Sequence, residues 1–174
     1  MKNFLIVVLF LSLVSCDPMY KRKLKKEITH QENIVLDENL EMNDSVAMVL
    51  MKNYKEFARE YPTDEESPNC LFKAAELANG MGAPSAAIDL YRQVYEAYPE
   101  YKEAPMCLFI LGFIYENQLQ NYKMAGMYYR DFLKKFPDHE LSEDVKLSIK
   151  NLGKTPDELI KEFEQKLENG EIDS

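Results

Sequence analysis

The sequence predicts an all-α fold, a short helical solenoid with a C-terminal capping helix, and three observations carry that expectation. The segments Tyr54 to Pro62, Tyr91 to Pro99 and Tyr129 to Pro137 share one spacing: an aromatic, an apolar residue three on, another aromatic four further, then Pro. Their starts lie 37 and 38 residues apart. A second word, Pro68-Asn-Cys-Leu-Phe72, returns as Pro105-Met-Cys-Leu-Phe109, again 37 residues on. Between these words apolar residues recur in steps of three and four, the helical period. Self-similarity at a fixed interval of this length is the mark of stacked helical pairs, none of which can bury its apolar face alone.

In chain order, residues 1 to 16 come first: one Lys, an unbroken apolar run from Phe4 to Leu11, then small or apolar residues ending at Cys16. The run is too short for a bilayer-spanning helix, which needs about 20 residues, and fits the core of a signal peptide over 1–15. Residues 16–43 are polar apart from Ile34, Val35 and Leu36, and read as a flexible tether. A coil of that length reaches roughly 30 Å. The tether opens on a basic cluster, Lys21, Arg22, Lys23, Lys25 and Lys26, which is either a solvated run or a patch drawn to anionic head groups.

The helical domain is expected over 44–168. Tyr54, Phe57 and Pro62 form the second helix of an incomplete leading pair. The stretch 83 to 98 lines Ala87, Ile88, Tyr91, Val94, Tyr95 and Tyr98 on one face, opens at Pro84 and stops at Pro99. The stretch 104 to 118 has Pro105 in its first turn and an inward stripe of Leu108, Leu111, Gly112 and Tyr115. A trailing helix begins near Leu141. Thr155-Pro156-Asp157-Glu158 is a capping box that starts a helix over 156–168, with Leu159, Ile160, Phe163 and Leu167 as its apolar stripe. Residues 169–174 are a tail.

Two resemblances sharpen this reading. Leu111, Gly112, Tyr115, Ala125, Tyr129 and Pro137 resemble the tetratricopeptide repeat, with one residue inserted near Gln120, and Ala75, Ala78, Ala87, Tyr91, Val94 and Pro99 supply the preceding repeat. Leu13, Val14, Ser15 and Cys16 resemble the lipobox of bacterial lipoproteins. That resemblance implies that Cys16 becomes the first mature residue and carries the acyl groups that hold the protein on a membrane. Together the two features are similar to the barrel-assembly lipoprotein and the Tol-Pal coordinator families. They imply a location in the cell envelope, at the outer membrane facing the periplasm rather than at the inner membrane. Asp17, however, resembles the inner-membrane retention signal of some enteric lipoproteins.

Composition narrows the chemistry. The chain has 174 residues, 46% of them apolar, enough for one core. Its 30 acidic residues against 21 basic ones leave a net charge of -9, which disfavours a nucleic-acid partner. Two His and three Cys are too few for a zinc finger or a disulfide framework, and no metal or other cofactor is expected. His30 falls in the tether and His139 in a turn, where a solvated role is expected. Asp64, Glu65 and Glu66 are adjacent loop acids, not a tuned acid/base pair. Gly80-Met-Gly82 lacks the Lys and Ser/Thr of a phosphate loop. Cys70 and Cys107 sit at equivalent repeat positions and are expected to pack as small apolar residues.

No catalytic constellation emerges, and the expectation is a non-enzymatic scaffold. The family resemblance implies that the first helix of each repeat lines a concave groove. Its positions fall on Asn69, Phe72, Glu76 and Asn79 in one repeat and on Met106, Phe109, Phe113, Glu116 and Asn117 in the next. Such a groove is aromatic and mildly acidic, and suits a protein or peptide with apolar side chains and basic flanks rather than a small molecule. Two alternatives stay open: the tether at Ile34 to Leu36 covers these phenylalanines, or the chain is, or assists, a small envelope enzyme.

Overall fold

The computed structural model describes residues 17–36 and 41–169, and these contain eight helices. They are α1 (Pro18–Glu32), α2 (Asp44–Glu60), α3 (Ser67–Gly80), α4 (Pro84–Ala97), α5 (Ala104–Asn117), α6 (Tyr122–Lys135), α7 (Ser142–Asn151) and α8 (Pro156–Glu168). Among the described residues there is no strand, and Leu36 pairs with Met42 in an isolated antiparallel bridge. From α1 to α7 each helix packs on its neighbours in the chain. The architecture is an all-α, solenoid-like stack of helical hairpins.

The repeat is visible in the backbone as well as in the sequence. The residue before each closing proline, Tyr61, Tyr98 and Phe136, leaves the helix at φ -127°, -132° and -130°. The proline ring that follows clashes with a helical predecessor, so all three helices stop at the same place. The same turn follows each time. Asp64, Tyr101 and His139 donate their N–H to the carbonyls of Tyr61, Tyr98 and Phe136, and Ser67, Ala104 and Ser142 donate back to Asp64, Tyr101 and His139. The buried Ser67 and Ser142 hydroxyls also donate to the Tyr61 and Phe136 carbonyls, at 2.5 and 2.9 Å.

The core follows the expected stripes. Ala87, Ile88, Tyr91 and Val94 of α4 and Leu108, Leu111 and Gly112 of α5 are buried. Tyr115 is half-buried and stacks on Tyr128, their rings 5.5 Å apart. Gly112 leaves room for the Tyr129 ring between α5 and α6, because a Cβ there would lie 2.4 Å from that ring. The residue inserted in the next turn is absorbed by Gln120, which takes a left-handed φ of 50° and lets Asn121 close back on the Tyr115 carbonyl at 2.7 Å.

The flexible tether requires correction. Residues 18–32 form α1, a full helix whose Leu24 and Ile28 are buried against the core. Asp17 caps it by accepting from the Met19 N–H at 2.9 Å, and Pro18 occupies the first turn. Side chains far along the sequence hold it. Lys21 pairs with Asp64, Lys25 with Glu66 at 2.5 Å, and Lys73 with Glu32 at 2.5 Å; Tyr54 donates to Glu32 and Asn53 to Gln31. The leading pair is therefore complete: α1 is the partner of α2, set back from it by a longer connection. Asp64 and Glu66, expected as solvated loop charges, bind α1 instead. His139 is also more engaged than expected: its Nδ1 accepts from the Leu141 N–H at 3.2 Å, and its ring packs edge-on to Phe132.

At the other end α8 forms with both halves of its capping box, Thr155 and Glu158 exchanging bonds with each other's backbone N–H. Leu159 and Leu167 of its stripe are half-buried, whereas Ile160 and Phe163 stay open, at 56% and 55% exposure.

Candidate functional site

The nine groove positions lie on α3 and α5, the first helices of two successive pairs, but the structure gives them different duties. Phe72 is half-buried, its ring edge-on to Tyr91 at 5.5 Å and to Tyr101 at 6.3 Å. Phe109 is also half-buried, 6.1 Å from the Tyr129 ring. Asn69 accepts from the Tyr101 hydroxyl, Asn79 from the Gln118 amide at 2.8 Å, and Glu116 from the Tyr129 hydroxyl at 2.8 Å. Phe72, Phe109 and Glu116 tie their helices to α4 and α6 of their own pairs, whereas Asn79 reaches the end of α5 and Asn69 the turn before it. Asn117 turns back on its own helix and donates to the Phe113 carbonyl at 3.1 Å, and Met106 is half-buried. Phe113 stands open at 46% exposure, whereas Phe72 and Phe109 are packed.

Ile34 to Leu36 do not cover these phenylalanines. Val35 is half-buried against the core and lines one recess with Leu50, Tyr54 and Leu77, while Ile34 and Leu36 are exposed. The N-terminal segment adds to the wall of α3 instead. Between α1, α2 and α3 lies an open recess of about 440 Å³ lined by Glu32, Val35, Leu50, Tyr54, Lys73, Glu76 and Leu77. A second, of about 290 Å³, adjoins it where Lys25 and Thr29 face Asn69, Cys70 and Lys73. Sequence reasoning reached Glu76 and Asn69 of this surface and missed Glu32, Tyr54 and Lys73, which depend on α1 being a helix.

The electrostatics of the recess are mixed. Burial alone would push the Glu32 carboxyl up, but hydrogen bonds from Lys73 and Tyr54 outweigh it and hold the group below its ordinary range. The Tyr54 hydroxyl is driven far up, first by burial and then by its bond to Glu32, so it stays a donor. Glu76 moves the other way: burial raises its carboxyl and Glu103 adds to the rise, against Lys73. A partly desolvated carboxylate next to apolar surface is a fitting contact for a cationic side chain. Cys70 and Cys107 are buried free thiols, and burial pushes each up to about 12, which makes them packing residues rather than nucleophiles. Among the described residues no group of three or more His, Cys, Asp or Glu could hold a metal ion.

The tetratricopeptide repeat family model matches residues 69–101 and 106–139, which hold α3 with α4 and α5 with α6. No curated protein matches the chain. The chain thus contains two recognisable tetratricopeptide repeats in a longer helical stack. Such repeats are generally non-catalytic protein-interaction modules, and they suggest a scaffold that works by holding a protein partner.

Proposed function

We propose that the chain is a lipid-anchored scaffold of the bacterial cell envelope that holds a protein partner along the face formed by α1, α3 and α5. The matched repeats support the binding role, and the single observation that carries the choice of face is Phe113. It is exposed on a first helix, two repeats into the stack, while the phenylalanines around it are packed. The exposed Glu76 in the wall of the α1–α3 recess supports a partner that pairs apolar side chains with basic ones. The lipobox resemblance at Cys16 supports the anchor and the envelope address, and Cys16 itself lies outside the described residues. Between the two membranes the outer one, facing the periplasm, is the location we favour, by similarity of the lipobox and repeat combination to envelope lipoproteins.

The test uses Phe113→Glu with Glu76→Lys. Both residues are exposed, so the double variant should keep its helical circular dichroism, unlike a change at the packed Phe109. Crosslinking in envelope extracts should recover a defined protein with the wild type and lose it with the variant. Equal recovery with both would place the partner on another face, and turnover of a small molecule with no protein recovered would overturn the scaffold reading.

A further inference from the structure

The basic cluster at the start of the described chain splits into two sets when α1 forms. Lys21 and Lys25 point along the protein and pair with Asp64 and Glu66. Met19, Arg22, Lys23, Lys26 and His30 recur in steps of three and four, so they share the face of α1 turned away from Leu24 and Ile28. All five are exposed, Met19 at 79%. None of the five is acidic, in a chain whose net charge is -9. Glu27 borders the face and lies 3.8 Å from Lys23; the Asp17 carboxylate, at the helix start, is engaged in capping Met19. A shallow depression of about 540 Å³ opens beside the face, among Pro18, Lys21, Arg22, Lys25, Lys26 and Thr29.

We infer that this outward face of α1 docks on an anionic phospholipid surface and fixes how the helical stack stands on the membrane. The inference rests on the proposed acylation of Cys16. Asp17, the very next residue, is already the cap of a packed helix, which leaves no spacer between the anchor and the fold. A 15-residue helix is about 22 Å long, so anchoring its start brings the whole cationic face within reach of the head groups. Attraction between exposed charges extends only about 8–10 Å at physiological salt, which favours the surface that the anchor already holds at contact distance over an acidic protein arriving from solution. With α1 lying on the lipid, α2 to α7 stack away from it, and the face carrying Phe113 is presented sideways to the bilayer.

The acylated full chain is reconstituted in phosphatidylcholine vesicles with and without phosphatidylglycerol, with spin-labelled lipid as quencher. A fluorophore is placed at His30→Cys on α1 or at Leu147→Cys on α7, three pairs further along the stack. Cys70 and Cys107 are buried thiols and will not compete for the label. Quenching should be strong at residue 30 and weak at residue 147, should require the anionic lipid, and should vanish in Arg22→Glu/Lys23→Glu/Lys26→Glu while that variant still floats with vesicles. Each cation near an anionic surface contributes roughly fivefold, so losing three alone should weaken docking on the order of 100-fold, and the three added carboxylates weaken it further. Equal quenching at both sites, or indifference to lipid charge or to the triple reversal, would overturn the docking while leaving the anchor intact. The intact mass reports the anchor separately. If Cys16 carries no acyl group the anchor reading fails, and docking then stands only if the protein floats with anionic vesicles and the triple reversal abolishes it.

Discussion

Gly112→Ala adds one methyl group at the contact between α5 and α6, and the structure sets its cost. The new Cβ would lie 2.4, 2.5 and 3.0 Å from three atoms of the Tyr129 ring. Tyr129 has little room to retreat: it is 1% exposed, its ring lies 6.1 Å from Phe109, and its hydroxyl donates to Glu116 at 2.8 Å. Either the two helices separate by about an ångström or the ring leaves its rotamer, and overpacking of this kind costs about 1–3 kcal/mol. Straining the Tyr129 to Glu116 bond adds about 1 kcal/mol, while alanine's helix propensity returns about 1 kcal/mol, for a net loss of about 1–3 kcal/mol. Gly126→Ala is the matched comparison, since Gly126 is also buried and helical. Its Cβ would meet the ends of Arg130 and Leu152 at 3.0 Å, flexible groups that can move aside, so the propensity gain should leave it neutral or slightly stabilised. In urea unfolding Gly112→Ala should lower the midpoint by on the order of 1 M, with Gly126→Ala near wild type. Equal shifts for both would refute the argument, because they would show that close approach to Tyr129 is not what Gly112 provides.

Three further outcomes are expected. Gln120 holds a left-handed φ of 50°, so Gln120→Gly should stabilise the protein by about 0.5–1 kcal/mol and Gln120→Val should destabilise it, both read from urea midpoints. Glu32 and Asp64 are both held below their ordinary values of 4.5 and 3.8, each because Lys hydrogen bonds outweigh burial. The folded state then binds fewer protons than the unfolded chain, so the stability they contribute is present above about pH 4.5 and is lost as pH falls through the folded values. Glu32→Gln with Asp64→Asn should flatten that acid limb in urea midpoints taken between pH 7 and 3; an unchanged limb would refute the assignment. Cys70 and Cys107, pushed up to about 12 by burial, should resist a thiol reagent at pH 8 and react together only as urea unfolds the stack.

The parts legible in the sequence are those where local chemistry and tertiary packing agree. Prolines ended α2, α4 and α6 because a proline forbids the helix locally whatever surrounds it, and the capping box at Thr155 marked α8 because its bonds are made within four residues. α1 was not legible. It offers only Leu24 and Ile28 to the core, an amphipathic signal too thin to separate from a charged linker, and its partners Asp64, Glu66 and Lys73 lie about forty residues away in the chain. The candidate face divides in the same way. Helical spacing placed Phe72, Phe109 and Phe113 on first helices, but which of them stays open is decided by Tyr91, Tyr101 and Tyr129, and no local pattern around Phe113 distinguishes it from Phe109.

The consequence of α1 being a helix reaches beyond the fold. A flexible tether of about 27 residues would let a domain wander roughly 30 Å from its anchor, and the orientation of its binding face would carry no information. A packed helix beginning one residue after the proposed acylation site removes that freedom. The ion pairs that hold it join α1 to the turn between α2 and α3, and Lys73 and Glu32 bridge it to the helix that starts the candidate binding face. Loosening α1 should therefore alter the recess beside Glu76 as well as the stance of the stack. Leu24→Ala removes one of the two buried contacts of α1 and tests this link, because it weakens docking of the helix on the fold without touching Phe113 or the outward cations, so partner recovery and the quenching at residue 30 should fall together.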